Sequence, residues 1–405
     1  MNETVKIRAR TDDIPSATMI IARATAMIPT LRARIPQCEA MGRVPDETIA
    51  EFQAAGFFRI LQPKVFGGYE MSPLTFYRVL QEVASGCPSS GWVLMVLGIH
   101  NWEVALLDPK AASDLWSKDD TVRISSSYAP FGGGVKVDGG YQVKGRWRFS
   151  SGCDHATWAF LAGMVPTGEG TPPDYRVFLI PRGDYEIVDD TWDVCGLEGT
   201  GSKDVEVNGC FVPDYRTHSL LEHFVAHGNE PGLKTFTNPY YRISFGVCFH
   251  NGVAAVIAGM AKGMVEVFSA QMQARRDNIM QQTLNVNPAV QRRVQIADAK
   301  ARQARDLIRG VVEGCESYIL RGEPIPMDKR AQFVADAATV GELCSEASVL
   351  LFRGAGGKAV YNDNLIGLYF RNIQAGCNHI CMDLDKTGVN AGGTLLGLPN
   401  QHVIT

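Results

Sequence analysis

Two histidines offer acid–base chemistry. His379 lies in QAGCNH and His100 in SSGWVLMVLGIH, both in stretches with helical periodicity. Imidazole ionises nearest neutrality, so either can act as a base or a hydrogen-bond partner. A histidine on a helix is equally at home packed in a core, and spacing alone does not choose. The segment Trp147–Gly152, WRFSSG, offers something else. Aromatic rings beside two hydroxyls at a strand end suit a flat heterocycle: the rings cover a face while Ser150 and Ser151 bond ring heteroatoms. An ordinary strand with core aromatics has the same composition.

Three further patterns are weaker. His218, Glu222, His223 and His227 bring imidazoles five and four residues apart, but match no known metal-ligand spacing. GLEGTGSKD, Gly196–Asp204, resembles a phosphate-binding loop, yet Ser202 precedes Lys203 and β-type sequence flanks it. GAGGKA, Gly354–Ala359, fits G-x-G-x-x-A but closes a helical period instead of following a strand. A helix cap is expected there, and no metal site anywhere.

The elements that must hold these residues come in the order α, β, α. Residues 1–122 read as helical. Pro45-Asp46-Glu47 opens one helix and Gly56 closes it; others run from about Pro73 to Ala84 and from about Ser90 to Leu107. From Thr121 the period changes to short alternating runs, with a hairpin turn at Asp138-Gly139-Gly140, so 123–232 is expected to be β. Residues 233–405 return to helices. Pro288 begins one whose apolar face is Val290, Val294, Ala297, Ala301, Ala304, Ile308, Val311 and Cys315. Another runs from about Pro326 to Arg353, and a last one from Leu365 to Asp383, carrying His379.

Composition narrows the class. The chain has 405 residues, 45% hydrophobic and 20% charged, which excludes a disordered protein. A net charge of −4 argues against a nucleic-acid partner. Ten scattered cysteines without a C-x-x-C pair argue for reduced thiols and a cytoplasmic protein. No apolar leader is visible. The apolar run Val253–Val267 is broken by Lys262 and too short for a bilayer, so no membrane partner is expected.

Four segments in this order resemble the acyl-CoA dehydrogenase superfamily: PDETIAEFQAAGFFRILQPKVFGGYE, WRFSSG, WDVCGLEGTGSKDVEVNGCFVP, and GAGGKAVY followed by RNIQAGCNH. The resemblance spans nearly the whole chain. It implies an α+β fold with an N-terminal helical domain, a central β barrel and a C-terminal four-helix bundle, assembled as a homotetramer. Many acyl-CoA dehydrogenases carry a catalytic carboxylate near the end of the bundle. Here that neighbourhood reads Gln374 to His379, with no acid. SSGWVLMVLGIH and GRWRFSSGCDH look instead like the flavin-dependent monooxygenases built on this fold. The resemblance therefore implies the oxygenase component of a two-component hydroxylase. Such a protein takes reduced FMN or FAD from a separate flavin reductase, reacts it with O₂ to a flavin hydroperoxide, and hydroxylates a small aromatic substrate. An acyl-CoA dehydrogenase or oxidase is the alternative, and a non-catalytic binding module a third.

The resemblance also implies roles. His379 is the base or hydrogen-bond partner, and Ser151 holds the flavin's oxygen adduct. Trp92 and Phe149 wall the flavin ring, with Ser150 beside it. His100 and one of Ser125, Ser126 and Ser127, taken as Ser126, bind the substrate hydroxyl, with Arg242 reaching the pocket. Arg276, or its neighbour Arg275, binds the flavin phosphate from an adjacent subunit, and Gln374 and Gly376 line the cleft.

Overall fold

The computed structural model describes residues 14–119, 121–220, 227–277 and 281–399. The N-terminal part contains α1 (Ala17–Ala33), α2 (Ile35–Met41), α3 (Asp46–Ala55), α4 (Pro73–Gly86), α5 (Pro88–Val104) and α6 (Pro109–Trp116). Gly56 ends α3 in the left-handed conformation, φ 81°, as the sequence requires of its cap. Helix α5 is buried at every position, so it is a central strut with no solvent face.

Seven strands follow: β1 (Ile124–Val137), β2 (Gly140–Trp147), β3 (Trp158–Val165), β4 (Asp174–Pro181), β5 (Glu186–Val188), β6 (Asp204–Pro213) and β7 (Thr217–Ser219). They form one sheet in the order β5-β6-β2-β1-β3-β4-β7. Strands β1 and β3 are parallel, and the other pairs are antiparallel. The hairpin falls at Asp138-Gly139, pairing Val137 with Gly140. The expected barrel takes the form of this single sheet. One of its faces has its own core of Val143, Trp147, Leu161, Phe178, Ile180 and Val205. Strand periodicity divides the faces. Ala159 and Leu161 of β3 enter that core, while Phe160 and Ala162 join the helical core.

The C-terminal part is a bundle of α7 (Phe245–Ala274), α8 (Pro288–Ile319), α9 (Met327–Ala355) and α10 (Leu365–Cys377), followed by α11 (Leu384–Leu395). Asn287 caps α8 by accepting from the Ala289 N–H, and the expected face from Ala297 to Cys315 is buried. Helix α7 alone is long and apolar enough, among the described helices, to cross a membrane, but most of it is buried within the protein. It packs against α4 and α5 as well as the bundle, joining the two helical parts.

The last helix differs from the sequence expectation. α10 ends at Cys377, and His379 sits beyond it in extended conformation (φ −65°, ψ 140°), capping the short turn Ile380–Met382. Asp383 then caps α11 by accepting from Lys386 N–H. Capping side chains at 379 and 383 thus divide what a continuous apolar period suggests is one helix.

Candidate active site

Helix α5 supplies the axis of the site. Trp92, Val96, His100 and Glu103 are spaced four, four and three residues apart, so they lie along one stripe. The stripe faces β1, and alternation along that strand decides which serine meets it. Ser126 Oγ is 2.8 Å from His100 Nε2. Ser125 and Ser127 point the other way: Ser125 accepts from Ser150 Oγ (3.2 Å), and Ser127 donates to the Arg148 carbonyl (2.7 Å).

His100 is enclosed by rings. Phe160, Tyr128, Phe245 and Phe249 have centroids 5.5 to 6.2 Å from the imidazole. Behind it lies Glu103, fully buried, which the sequence did not single out. Its Oε2 accepts from His100 Nδ1 (2.7 Å) and Tyr128 OH (2.5 Å), and its Oε1 from His218 Nε2 (2.9 Å). Burial alone would raise this carboxyl. Hydrogen bonds from His100 and His218 outweigh burial and hold it at about 2, so Glu103 is ionised. Burial and the Glu103 charge push the Tyr128 phenol well above its ordinary value of 10, so Tyr128 is a donor here.

A second group stands at the other end of the α5 stripe. Trp92 Nε1 donates to Ser151 Oγ (3.2 Å), which bonds Ser202 Oγ (2.7 Å). Thr200 Oγ1 joins Ser202 (2.7 Å) and donates to the Leu197 carbonyl (2.7 Å). The glycine-rich segment Gly196–Asp204 thus serves as a hydroxyl-bearing wall, not a phosphate loop. Gly376 lies against the same tryptophan: a Cβ there would come 3.3 Å from the Trp92 ring and 3.2 Å from Ile257. His379 links the two groups, with ring centroids 5.7 Å from Trp92 and 6.3 Å from Phe249.

The His379 tautomer follows from its capping role. Nδ1 accepts from the Cys381 backbone N–H (3.2 Å), so the neutral ring carries its proton on Nε2. Burial, and the neighbouring His250, lower its pKa to about 4. His379 is therefore a neutral hydrogen-bond donor at pH 7. Of the two roles expected for it, base and hydrogen-bond partner, this geometry fits the second.

Several expected residues stand elsewhere. Ser150 is fully buried and bonded to Ser125, on the face of β1 opposite Ser126. Phe149 before it is left-handed, at φ 63°, with its ring 60% exposed and edge-on to Trp192. Gln374 is tied to Ser345 and Ser348 of α9 inside the bundle. Arg242 is exposed in a surface depression with Glu230 and Lys234. Arg275 donates to the Ala355 carbonyl at a helix end (2.7 Å), and exposed Arg276 donates to that of Gln281 (3.3 Å). Among the described residues no group of three or more His, Cys, Asp or Glu forms a metal site. His218 bonds Glu103 and His227 bonds Glu230, while Glu222 and His223 lie outside the described residues.

The donor set fits a flavin. An exposed Phe149 ring beside half-buried Trp192 offers flat apolar cover, and Ser151 offers a hydroxyl to a polar ring edge. Gly376 lets α10 pack directly against Trp92 and Ile257.

Comparison with known proteins agrees with this architecture. Residues 19–106 match the acyl-CoA dehydrogenase N-terminal domain, and residues 251–384 the acyl-CoA dehydrogenase C-terminal domain. The oxygenase subunit HsaA of a flavin-dependent monooxygenase from Rhodococcus jostii is 38% identical over 93% of this chain and 98% of its own. The oxygenase component of p-hydroxyphenylacetate 3-hydroxylase from Acinetobacter baumannii is 29% identical over 97% of this chain and 92% of its own. The crystal structure of 3-HSA hydroxylase from Rhodococcus sp. RHA1 superposes with a TM-score of 0.89 at 36% identity, covering 96% of this chain and 99% of that one. The chain belongs to the acyl-CoA dehydrogenase family, and within it to the flavin-dependent monooxygenases.

Proposed function

We propose that this protein is the oxygenase component of a two-component hydroxylase. It receives reduced FMN or FAD from a separate flavin reductase and hydroxylates a phenol-type aromatic substrate. The observation that carries the substrate class is the His100–Ser126 pair, two polar groups inside a box of four aromatic rings. Rings hold a flat apolar body, and the pair takes one hydroxyl. The named action of the Acinetobacter relative, on p-hydroxyphenylacetate, is of this kind.

Reduced flavin, together with O₂, supplies the oxygen atom that is transferred to the ring. The remaining chemistry belongs to side chains. A phenol attacks far better as phenolate, so His100 Nε2 takes the hydroxyl proton while Ser126 holds the oxygen. Ser151 and the His379 Nε2–H would present donors to the flavin, and Trp92 and Phe149 would cover its ring. The aromatic box excludes water, which limits unproductive release of H₂O₂. Arg276 or Arg275, in an adjacent subunit of a homotetramer, would bind the flavin phosphate. Ten free cysteines support a cytoplasmic setting.

The test is a panel of phenols offered to the enzyme with chemically reduced FMN or FAD and O₂, read by mass. A gain of one oxygen atom on a phenol is expected. Flavin oxidation that yields H₂O₂ alone across the panel would contradict the reading.

A further inference from the structure

The three-donor cradle around Glu103 is larger than a packing role requires. A buried carboxylate loses much of its hydration energy and persists only when fully bonded. Here donors come from three elements: His100 on α5 itself, Tyr128 on β1 and His218 on β7. An ionised carboxylate accepts and cannot donate. Each nitrogen facing it must therefore carry a proton, which places the His100 proton on Nδ1. A neutral His100 then has its lone pair on Nε2, aimed at Ser126.

We propose that Glu103 is a positioning residue for hydroxylation: it fixes the His100 tautomer so that Nε2 is the acceptor for the substrate's phenolic proton. The assignment rests on the hydroxylase reading above. In the step itself the phenol O–H bond breaks and an N–H bond forms at Nε2. The electron pair stays on the phenolate oxygen. Glu103 remains a carboxylate throughout, and its charge, 2.7 Å from Nδ1, stabilises the imidazolium. The ionisable groups facing His100 are Glu103 and Tyr128, with His218 on the far carboxylate oxygen. Phe160 of β3 and Phe245 and Phe249 of α7 add none. His379 has the complementary tautomer, with Nε2–H outward. The two histidines thus divide the work, one accepting and one donating.

Glu103→Leu removes the acceptor. Tyr128 OH, 3.3 Å from His100 Nδ1, is then left to donate to a bare Nδ1, which favours the tautomer with Nε2–H. Two readouts test this. The first needs no turnover: ¹⁵N solid-state NMR of histidine-labelled enzyme, with His100 assigned through His100→Asn. Wild-type enzyme at pH 7 should show Nδ1–H and an unprotonated Nε2, and Glu103→Leu the reverse. The second is product formed per reduced flavin consumed. It should fall about 100-fold in Glu103→Leu while flavin oxidation continues to H₂O₂. Glu103→Gln, whose oxygen can still accept from His100 Nδ1 and Tyr128 while its NH₂ faces His218, should recover part of the loss. A wild-type His100 bearing Nε2–H with bare Nδ1 overturns the proposal, as does a Glu103→Leu enzyme that keeps wild-type product yield. Should Glu103→Leu fail to fold, the wild-type spectrum still decides. A wild-type enzyme that hydroxylates no phenol sinks the hydroxylase reading separately, because the tautomer is read without substrate.

Discussion

At the scale of single residues, buried imidazoles and one buried carboxylate set how the protein meets acid. Burial lowers the pKa of His250 to about 4, and burial with the nearby His250 does the same to His379. An unfolded chain protonates histidine from about 6.5. Between pH 6.5 and 4 the unfolded state therefore binds more protons than the folded state, and stability falls as pH falls. For His250 the loss at pH 5 is about 2 kcal/mol. Glu103 acts lower: its folded value is about 2, so the stability it contributes is lost from about pH 4.5 downward. Urea midpoints should thus drop in two stages. His250→Gln should flatten the upper stage. An unchanged slope between pH 6.5 and 4.5 in that variant would show that His250 does not cause it.

At the scale of elements, α7 matters most because it serves both the core and the site. It carries Phe245 and Phe249 to His100, and it lies close against α4. That closeness depends on Gly259, where a Cβ would come 2.5 Å from the Gln81 carbonyl oxygen. No flexible side chain can give way there, since the neighbour is backbone. Gly259→Val should cost about 1–3 kcal/mol by overpacking. Because the whole helix must shift, hydroxylation should fall as well. Denaturation midpoints and product yield, measured on one preparation, check both. Strand β1 shows how an element selects among similar residues. Its alternation gives Ser126 to His100 and turns Ser125 and Ser127 to the opposite face, a choice that three identical neighbours leave open in sequence.

At the scale of the whole molecule, apolar surface remains after the single chain has folded. Val389, Leu395 and Leu396 on and just beyond α11 are 70%, 90% and 81% exposed. Apolar side chains gathered on one terminal helix are costly to leave in water and mark a surface for association. The proposed homotetramer accounts for them. Light scattering should give four times the 44.2 kDa chain mass, and Leu395→Asp combined with Leu396→Asp should lower it. A 44.2 kDa particle from the unmodified chain would contradict the tetramer.

The amino-acid sequence by itself determined the α, β, α order, the hairpin at Asp138-Gly139, the buried face of α8 and the kinship with flavin-dependent oxygenases. The first three follow from periodicity and turn chemistry, which are local and survive in a linear string; the kinship rests on the resemblance of whole segments to that family. It also brought forward His100, Ser126, Ser151, Trp92, Gly376 and His379, and the fold gathers those six along the α5 stripe and around His379. Glu103 was hidden because α5 is buried all round, so no polar face sets a functional acid apart from a solvated one. The links of Ser202 to Ser151 and of His218 to Glu103 were hidden because the partners are 51 and 115 residues away, on elements whose approach no local pattern encodes. Ser150 and Ser151 are told apart only by the partners they meet, Ser125 for one and Trp92 and Ser202 for the other, and the His379 tautomer only through a backbone N–H two residues on. Tertiary structure alone decided those points, because a hydrogen bond in a dry interior is fixed by where two groups are brought together, not by what either is.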